Sequence, residues 1–405
     1  MLERPRFVRG LGPGLVSGAS ANDPTTVGSL AVVGAGTGYG LAWLVVLLLP
    51  MLALVQAIAA SVAAVSHMSL QQAIARSYGR VPAVVGAVAI VAVALATLTA
   101  DIQAGAQALT LLSGVPFYYF VLPLAAIAYW LLATKSYLRI ERILAWLTLI
   151  FLCYVASAIL AHPDWHEVLR GIFLPRFSLS PGFATGAIAL LGTTLTGYVY
   201  FWESIEVAER RPKPSQLRAV NADAVLGMLV AGSTFLFILV AAAATSGRHH
   251  MPIRTAVDAA VALQPLAGSF AQMLFGIGLL ASAAIAVPVI AATNGYVVAQ
   301  TLRLPASLAL KPREAPMFYR VVFASLAISA TLALLPIPTM LLLYWVSVIA
   351  GLATPITLGF ATLVARNPKT MRGRPIGVPL ACAGWAVTGV VTLSSLAFIL
   401  SAIHR

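Results

Sequence analysis

An aspartate and a proline interrupt the first apolar stretch of the chain, in the segment GASANDPTTVGS at residues 18–29. Proline removes a backbone donor and clashes with the preceding helical turn, and glycine permits non-helical geometry. The sequence therefore predicts a helix that breaks at Asp23 and Pro24. Asp23, Thr26 and the carbonyls freed by the break form a set of hard oxygen ligands, which suits Mg²⁺, Mn²⁺ or Ca²⁺.

A second polar interruption lies in the segment GTTLTGYVYFWESIEVAE at residues 192–209. Thr193 and Thr196 are about one helical turn apart, and Gly197 allows the backbone to open. We predict a second break here, at which oxygens of the two threonines complete the cation cage. Glu203 follows further along the same stretch, and we expect it to line an exit path for the ion.

Each of these interpretations has a structural alternative. Asp101 lies in the apolar segment TADIQAGAQAL, where an acidic residue indicates an ion or proton relay. The structural alternative is that its carboxyl group bonds to a neighbouring helix. Asp23 could instead be protonated and cap the second half of a kinked helix. The hydroxyl groups of Thr193 and Thr196 could bond back to the carbonyls of their own helix.

The composition places these residues inside a membrane. The chain of 405 residues is 60% hydrophobic and 9% charged, whereas a soluble domain carries roughly 25% charged residues. Apolar runs of about 20 residues, long enough to cross a bilayer, recur throughout. We predict an all-α polytopic membrane protein without soluble domains or a cleavable signal peptide. The eleven predicted spans are 11–35, 40–66, 82–111, 116–133, 142–161, 183–208, 219–245, 266–300, 318–335, 339–365 and 376–402.

The net charge of +13 reflects membrane topology. With a cytoplasmic N-terminus, twenty of the 25 basic residues fall in the predicted inside loops, as the positive-inside rule requires. We therefore expect a multi-pass protein of the bacterial inner membrane and no nucleic-acid partner. The five basic residues on the outside are Arg170, Arg176, Arg248, Arg254 and Arg405.

The sequence lacks the residues that several other kinds of site would require. Cys153 and Cys382 lie in apolar runs, which disfavours a disulfide framework or a thiolate metal site. All six histidines fall outside the predicted spans, so no imidazole is available as an intramembrane proton shuttle. The sequence contains no nucleophile–base set, zinc motif or phosphate-binding glycine loop. We predict no enzyme activity, no cofactor and no obligate protein partner.

The two predicted breaks occupy matching places if the chain consists of five spans, five more spans and one extra. Repeat one then covers about 11–161, repeat two about 183–365, and the extra span about 376–402. Interrupted helices in corresponding positions of two halves indicate the binding site of an inverted-repeat transporter. The broken helices are the first and the sixth.

The chain resembles the NRAMP family of divalent-metal transporters over nearly its whole length. The resemblance is carried by GLGPGLVSGASANDPTT, TADIQAGAQALTLL, GTTLTGYVYFWESIEVAE and IAGLATPITLGFATLVARNP. It implies the LeuT-type fold of five-plus-five inverted repeats, with alternating access to a central metal site. The family's first-span aspartate and asparagine fall on Asp23 and Thr26, and a backbone carbonyl ligand falls on Thr193.

Departures from the family pattern refine this expectation. The family's Met-Pro-His corresponds here to Thr196-Gly197-Tyr198, so a soft sulfur ligand that favours transition metals is replaced by oxygen. Asp101 matches one acidic residue of the family's proton route, but Ala104 stands where the family has glutamate. Glu203 stands where the family has a histidine. The pattern is similar to that of NRAMP-related magnesium transporters. It favours Mg²⁺ or Mn²⁺ and argues against proton coupling.

Two other functions are compatible with the sequence. One is an organic-solute symporter of the same fold, in which half-helix N-termini hold a substrate carboxylate. The other is a non-transporting metal sensor whose loops signal to a partner.

Overall fold

The computed structural model describes residues 18, 21–134, 152–175, 177–178, 180–213, 216–248 and 251–403. These residues form helices joined by turns and short connections. Seven helical stretches among them are long and apolar enough to cross a membrane. Two shorter apolar stretches, Tyr118–Ala133 and Phe235–Gly247, add to these. The prediction of an all-α, multi-pass membrane protein is confirmed.

The helices follow one another along the whole described chain. In order they are α1 (Pro24–Thr37), α2 (Ala42–Ser66), α3 (Leu70–Tyr78), α4 (Arg80–Ser113), α5 (Tyr118–Ala133), α6 (Leu152–Leu160), α7 (Trp165–Phe173), α8 (Pro181–Thr194), α9 (Gly197–Arg210), α10 (Leu217–Gly232), α11 (Phe235–Ala242), α12 (Ala256–Ala260), α13 (Gln264–Ala267), α14 (Ala271–Thr301), α15 (Pro316–Ala333), α16 (Thr339–Arg366) and α17 (Val378–Ile403). Parts of the first and fifth predicted spans, including 142–151, lie outside the described residues.

Both predicted breaks are present. Gly18 and Ala21 are helical, Asp23 is extended with φ −67° and ψ 163°, and α1 begins at Pro24. The sixth span is divided into α8 and α9, since Thr196 has φ −63° and ψ 137°. Proline in the first helical position suits a helix start, because its missing N–H would have no intrahelical partner there.

The seventh span differs from the continuous helix expected at 219–245. It is divided into α10 and α11, and a π-helical turn at Ala243–Gly247 extends α11. The division follows Gly232, where a Cβ atom would lie 2.2 Å from a methyl group of Leu49. Thr234 donates hydrogen bonds to the carbonyl of Ala231 at 3.0 Å and to Asn22 Oδ1 at 3.3 Å. The kink therefore links the seventh span to the break in the first.

The sixth and tenth spans approach each other backbone to backbone. A Cβ atom on Gly192 of α8 would lie 2.0 Å from the carbonyl oxygen of Ser347 and 2.2 Å from the amide nitrogen of Gly351, both in α16. A Cβ atom on Gly351 would lie 2.5 Å from the carbonyl oxygen of Ile188. The two glycines thus fix the first half of the sixth span against the tenth.

This backbone contact predicts that adding a single methyl group at Gly192 lowers the stability of the protein. Gly192→Ala should destabilise the protein by about 1–3 kcal/mol, because overpacking forces the backbones apart. Gly389→Ala in α17 is the matched control, since a Cβ atom there meets nothing within 4 Å. Melting temperature in detergent is the measurement. Equal melting temperatures for the two variants would contradict the backbone contact.

Candidate functional site

The two breaks meet in the interior of the protein. Thr26 Oγ1, in the first turn of α1, lies 3.0 Å from Thr193 Oγ1, near the end of α8. The hydroxyl group of Tyr198, in the first turn of α9, donates a hydrogen bond of 2.8 Å to Asp23 Oδ2. We call Asp23, Thr26, Thr193 and Tyr198 the break cluster, and each of these side chains is at most 3% exposed.

Asp23 receives hydrogen bonds at both carboxylate oxygens. Its Oδ1 atom accepts from the backbone N–H of Thr26 at 2.6 Å, which caps α1. The cap expected as a structural alternative is therefore present. The second oxygen accepts from the hydroxyl group of Tyr198, a residue in the first turn of α9. Helix N-termini carry partial positive charge, so the start of α1 stabilises an ionised carboxylate at this point.

Thr193 lies at the C-terminal end of a helix, where the partial charge is opposite in sign to that at the start of α1. It lies in the last turn of α8, which ends at Thr194. Carbonyls in the last turn of a helix lack intrahelical partners and carry partial negative charge. The break cluster therefore combines a carboxylate, threonine hydroxyl groups and a helix C-terminus, all of which attract a cation. These hard oxygens suit Mg²⁺, Ca²⁺ or Mn²⁺.

Thr196 lies beside the break cluster rather than within its hydrogen bonds. Its hydroxyl oxygen is buried and has no hydrogen-bond partner in the described part of the chain. It lines a small cavity together with Tyr198, Ile90 of α4 and Thr354 of α16. Because Tyr198 contacts both this cavity and Asp23, the cavity adjoins the predicted cation cage.

Asp101 is connected to the first span through a residue that the sequence reasoning missed. The hydroxyl group of Thr25 donates a 2.7 Å hydrogen bond to Asp101 Oδ1, and Asp101 is fully buried. Asp101 Oδ2 has no hydrogen-bond partner among the described residues. Thr25 stands next to Thr26 in the quoted segment, which is the only signal that could have indicated it. One oxygen of Asp101 thus bonds to a neighbouring helix, as its structural alternative expects.

The remaining predicted residues lie along α9. Gly197 begins this helix, and a Cβ atom there would be 3.6 Å or more from its neighbours Ile90 and Thr357, an ordinary contact distance. Gly197, at the break of the sixth span, is therefore less tightly packed than Gly192. Glu203 is completely buried about one and a half turns after Tyr198.

The site contains few ionisable groups. Among the described residues, no group of three or more His, Cys, Asp or Glu side chains could hold a metal ion. A cation at the break cluster would meet one carboxylate and several neutral oxygens. This donor set fits an ion that keeps part of its water, as Mg²⁺ usually does in proteins.

The fold and the paired breaks define a LeuT-type membrane protein. A crystal structure of a mutant manganese transporter from Eremococcus coleocola superposes with a TM-score of 0.77 at 19% identity, covering 100% of this chain and 93% of that one. Mhp1, a nucleobase-cation-symport-1 family transporter in a closed conformation, superposes with a TM-score of 0.61 at 14% identity, covering 98% of this chain and 91% of that one. These similarities show the fold.

The chain belongs to the Nramp family. The family model described as natural resistance-associated macrophage protein-like matches residues 14–401. A curated relative, the divalent metal cation transporter MntH of Deinococcus radiodurans, is 29% identical over 296 residues, which span 69% of this chain and 66% of that relative. Nramp family members are transporters rather than enzymes, and metal is their substrate rather than a cofactor. The resemblance read from the sequence is confirmed.

The hydrogen bond between Thr25 and Asp101 predicts that substitutions at these two residues have non-additive effects on stability. Thr25→Val should lower the melting temperature, because losing the partner of a buried carboxyl group costs about 1–3 kcal/mol. In the Asp101→Asn background the same substitution should cost less, so the two effects should not add. Thr37→Val is the control, since its half-buried hydroxyl group bonds only within its own helix. Additive losses in the double variant would contradict the pairing.

Proposed function

We propose that this chain is a secondary transporter that moves a divalent cation, Mg²⁺ or Mn²⁺ in preference, across the bacterial inner membrane. The proposal rests on Asp23, a buried carboxylate that caps α1 and accepts a hydrogen bond from Tyr198 of α9, next to a contact between threonine hydroxyl groups of the two breaks. The names of the relatives, divalent metal cation transporter and manganese transporter, support the same substrate class. The charge distribution supports a cytoplasmic N-terminus.

Ion binding has to open the break cluster. Asp23, Thr26 and Thr193 supply the oxygen ligands, and Thr196 and the carbonyls of the breaks complete the cage. In this structure the bond between Thr26 and Thr193 and the bond between Tyr198 and Asp23 draw these ligands together. Both bonds join α1 to the sixth span. An entering cation would replace them with its own contacts to the same oxygens.

The unequal packing of the two halves of the sixth span supports an alternating-access mechanism. Gly192 fixes α8 against α16, whereas Gly197 at the start of α9 has ordinary contacts. Movement of α9 would carry Tyr198 away from Asp23 and open the site on one side. The ion would then leave past Glu203, which lies further along α9. The five-plus-five repeat arrangement, with 376–402 as the extra span, is part of this proposal.

We expect the oxygen donors of the site to determine its selectivity among metal ions. Thr196 and Tyr198 stand where a soft sulfur ligand and an imidazole are found in the family pattern, so hard ions are favoured. Asp101 lies close to α1 through Thr25 and contributes to the ion pathway. The chain lacks the second acid of the family's proton route, since Ala104 occupies that position. We therefore expect transport without obligatory proton coupling.

An organic-solute symporter is the second candidate, because Mhp1 shares the fold. A carboxylate at Asp23 would repel an anionic substrate at the position where half-helix N-termini otherwise attract one. A metal sensor is the third candidate, and the transporter names of the relatives argue against it. Uptake of divalent cations and amino acids into proteoliposomes separates these functions.

Asp23→Asn tests the cation site directly. Removing the charge while keeping the size should reduce Mg²⁺ and Mn²⁺ uptake to the level of empty proteoliposomes, because the carboxylate is the only charged ligand. Asp164→Asn is the matched control, since Asp164 also caps a helix, α7, but is exposed. Uptake by Asp23→Asn at the rate of the control would overturn the site assignment.

Thr196→Met tests the origin of selectivity. A thioether in place of the hydroxyl group should shift uptake towards Mn²⁺ over Mg²⁺, because sulfur binds the softer ion better. Thr196→Val removes the oxygen without adding sulfur and should weaken uptake of both ions. Competition between Mg²⁺ and Mn²⁺ in proteoliposomes measures the ratio. An unchanged ratio in the methionine variant would place Thr196 outside the cage.

A further inference from the structure

A groove with a basic lining opens at one end of the helical bundle, away from the break cluster. It lies between the short helix α3 and the end of α14 and is open to the surface. We call it the basic groove, and its lining includes Met68, Gln72, Arg76, Gln300, Arg303 and Leu304. None of the described residues that line it is acidic.

Hydrogen-bond donors dominate the polar part of the basic groove. Arg76 of α3 and Arg303, which follows α14, are exposed, and both line the groove. The amide oxygen of Gln72 accepts from the N–H of Ser69, and that of Gln300 accepts from the Ser69 hydroxyl group. With both oxygens occupied, the two amide nitrogens remain to donate. Two guanidinium groups and two amide nitrogens form a site for a phosphate group, which arginine binds in a bidentate manner.

Apolar surface adjoins these donors. Met68 and Leu304 line the groove, and Leu304 is 43% exposed. Val81 at the start of α4 is 73% exposed and Leu302 is 48% exposed, so the neighbouring surface offers contact to acyl chains. Both arginines lie in connections between predicted spans that the charge distribution assigns to the cytoplasmic side. Basic pockets between membrane helices on that side bind the headgroups of acidic lipids.

From these observations we propose that the basic groove binds the phosphate group of an anionic phospholipid. The apolar surroundings favour a lipid over a free phosphate, because a lipid satisfies the guanidinium groups and covers the exposed side chains at once. The proposal does not depend on which ion the protein carries.

The bound lipid would act on a set of hydrogen bonds beneath the groove. The Ser69 hydroxyl group donates to Gln300 at 2.6 Å, and Gln71 Nε2 donates to Thr301 Oγ1 at 2.6 Å. The N–H of Leu70 donates to Ser204 Oγ of α9 at 3.0 Å. These bonds hold α3 against α14 and against the second half of the sixth span. A phosphate bridging Arg76 and Arg303 would strengthen the same contact and stabilise the packing of α3 against α14 and α9.

The test compares melting temperatures of the full-length protein in mixed micelles. Phosphatidylglycerol should raise the melting temperature, whereas phosphatidylcholine and inorganic phosphate should not. In Arg76→Gln/Arg303→Gln, the phosphatidylglycerol concentration for half-maximal stabilisation should increase by about tenfold or more, which corresponds to losing one charge-assisted hydrogen bond. Arg254→Gln is the matched control, because this exposed arginine lies outside the groove.

Three outcomes decide the proposal. An unchanged phosphatidylglycerol response in the double variant would overturn the site. Stabilisation by inorganic phosphate equal to that by the lipid would overturn the lipid assignment. If the glutamine variants do not fold, Arg76→Lys/Arg303→Lys retains the charges, and native mass spectrometry should then show weaker retention of phosphatidylglycerol than in the wild type. Retention equal to the wild type would contradict the proposal, since lysine lacks the bidentate geometry.

Discussion

Burial of the Asp23 carboxylate governs the arrangement around both helix breaks. A charge at membrane depth costs at least a few kcal/mol unless partners compensate for it. Here the partners are the N–H of Thr26 and the hydroxyl group of Tyr198, which approach from two half-helices. A continuous helix offers no free N–H groups in its middle, because each bonds to a carbonyl within the helix. The breaks are therefore what allows a carboxylate to lie in the interior.

The same breaks explain why cation ligands and anion-stabilising groups occur together. The start of α1 and the start of α9 present donors to Asp23, while the end of α8 brings Thr193 to Thr26. A helix divided in two supplies a positive end and a negative end within a few residues. Under the proposed function, this polarity would favour a small ion of high charge density that displaces the contacts within the break cluster.

Local chemistry made the breaks and most of the cluster predictable. Proline at position 24 and glycine at 197 weaken helical structure at positions where polar residues also interrupt the apolar run, and the matching places of the two segments in the two halves of the chain indicated that they meet. The contact of Thr25 with Asp101 was not predictable, because residues adjacent in a helix point about 100° apart and only the tertiary packing decides what each meets. The kink after Gly232 was missed for a similar reason, since it depends on Leu49 of another span.

The contact between Gly192 and Gly351 limits how this protein can change shape. At this point the backbones of α8 and α16 lie against each other, because neither Gly192 nor Gly351 leaves room for a Cβ atom. Sliding of one helix along the other would bring bulkier residues into this contact. We therefore expect the first half of the sixth span and the tenth span to rotate together, so that a small rotation at one end produces a larger displacement along the 28 residues of α16.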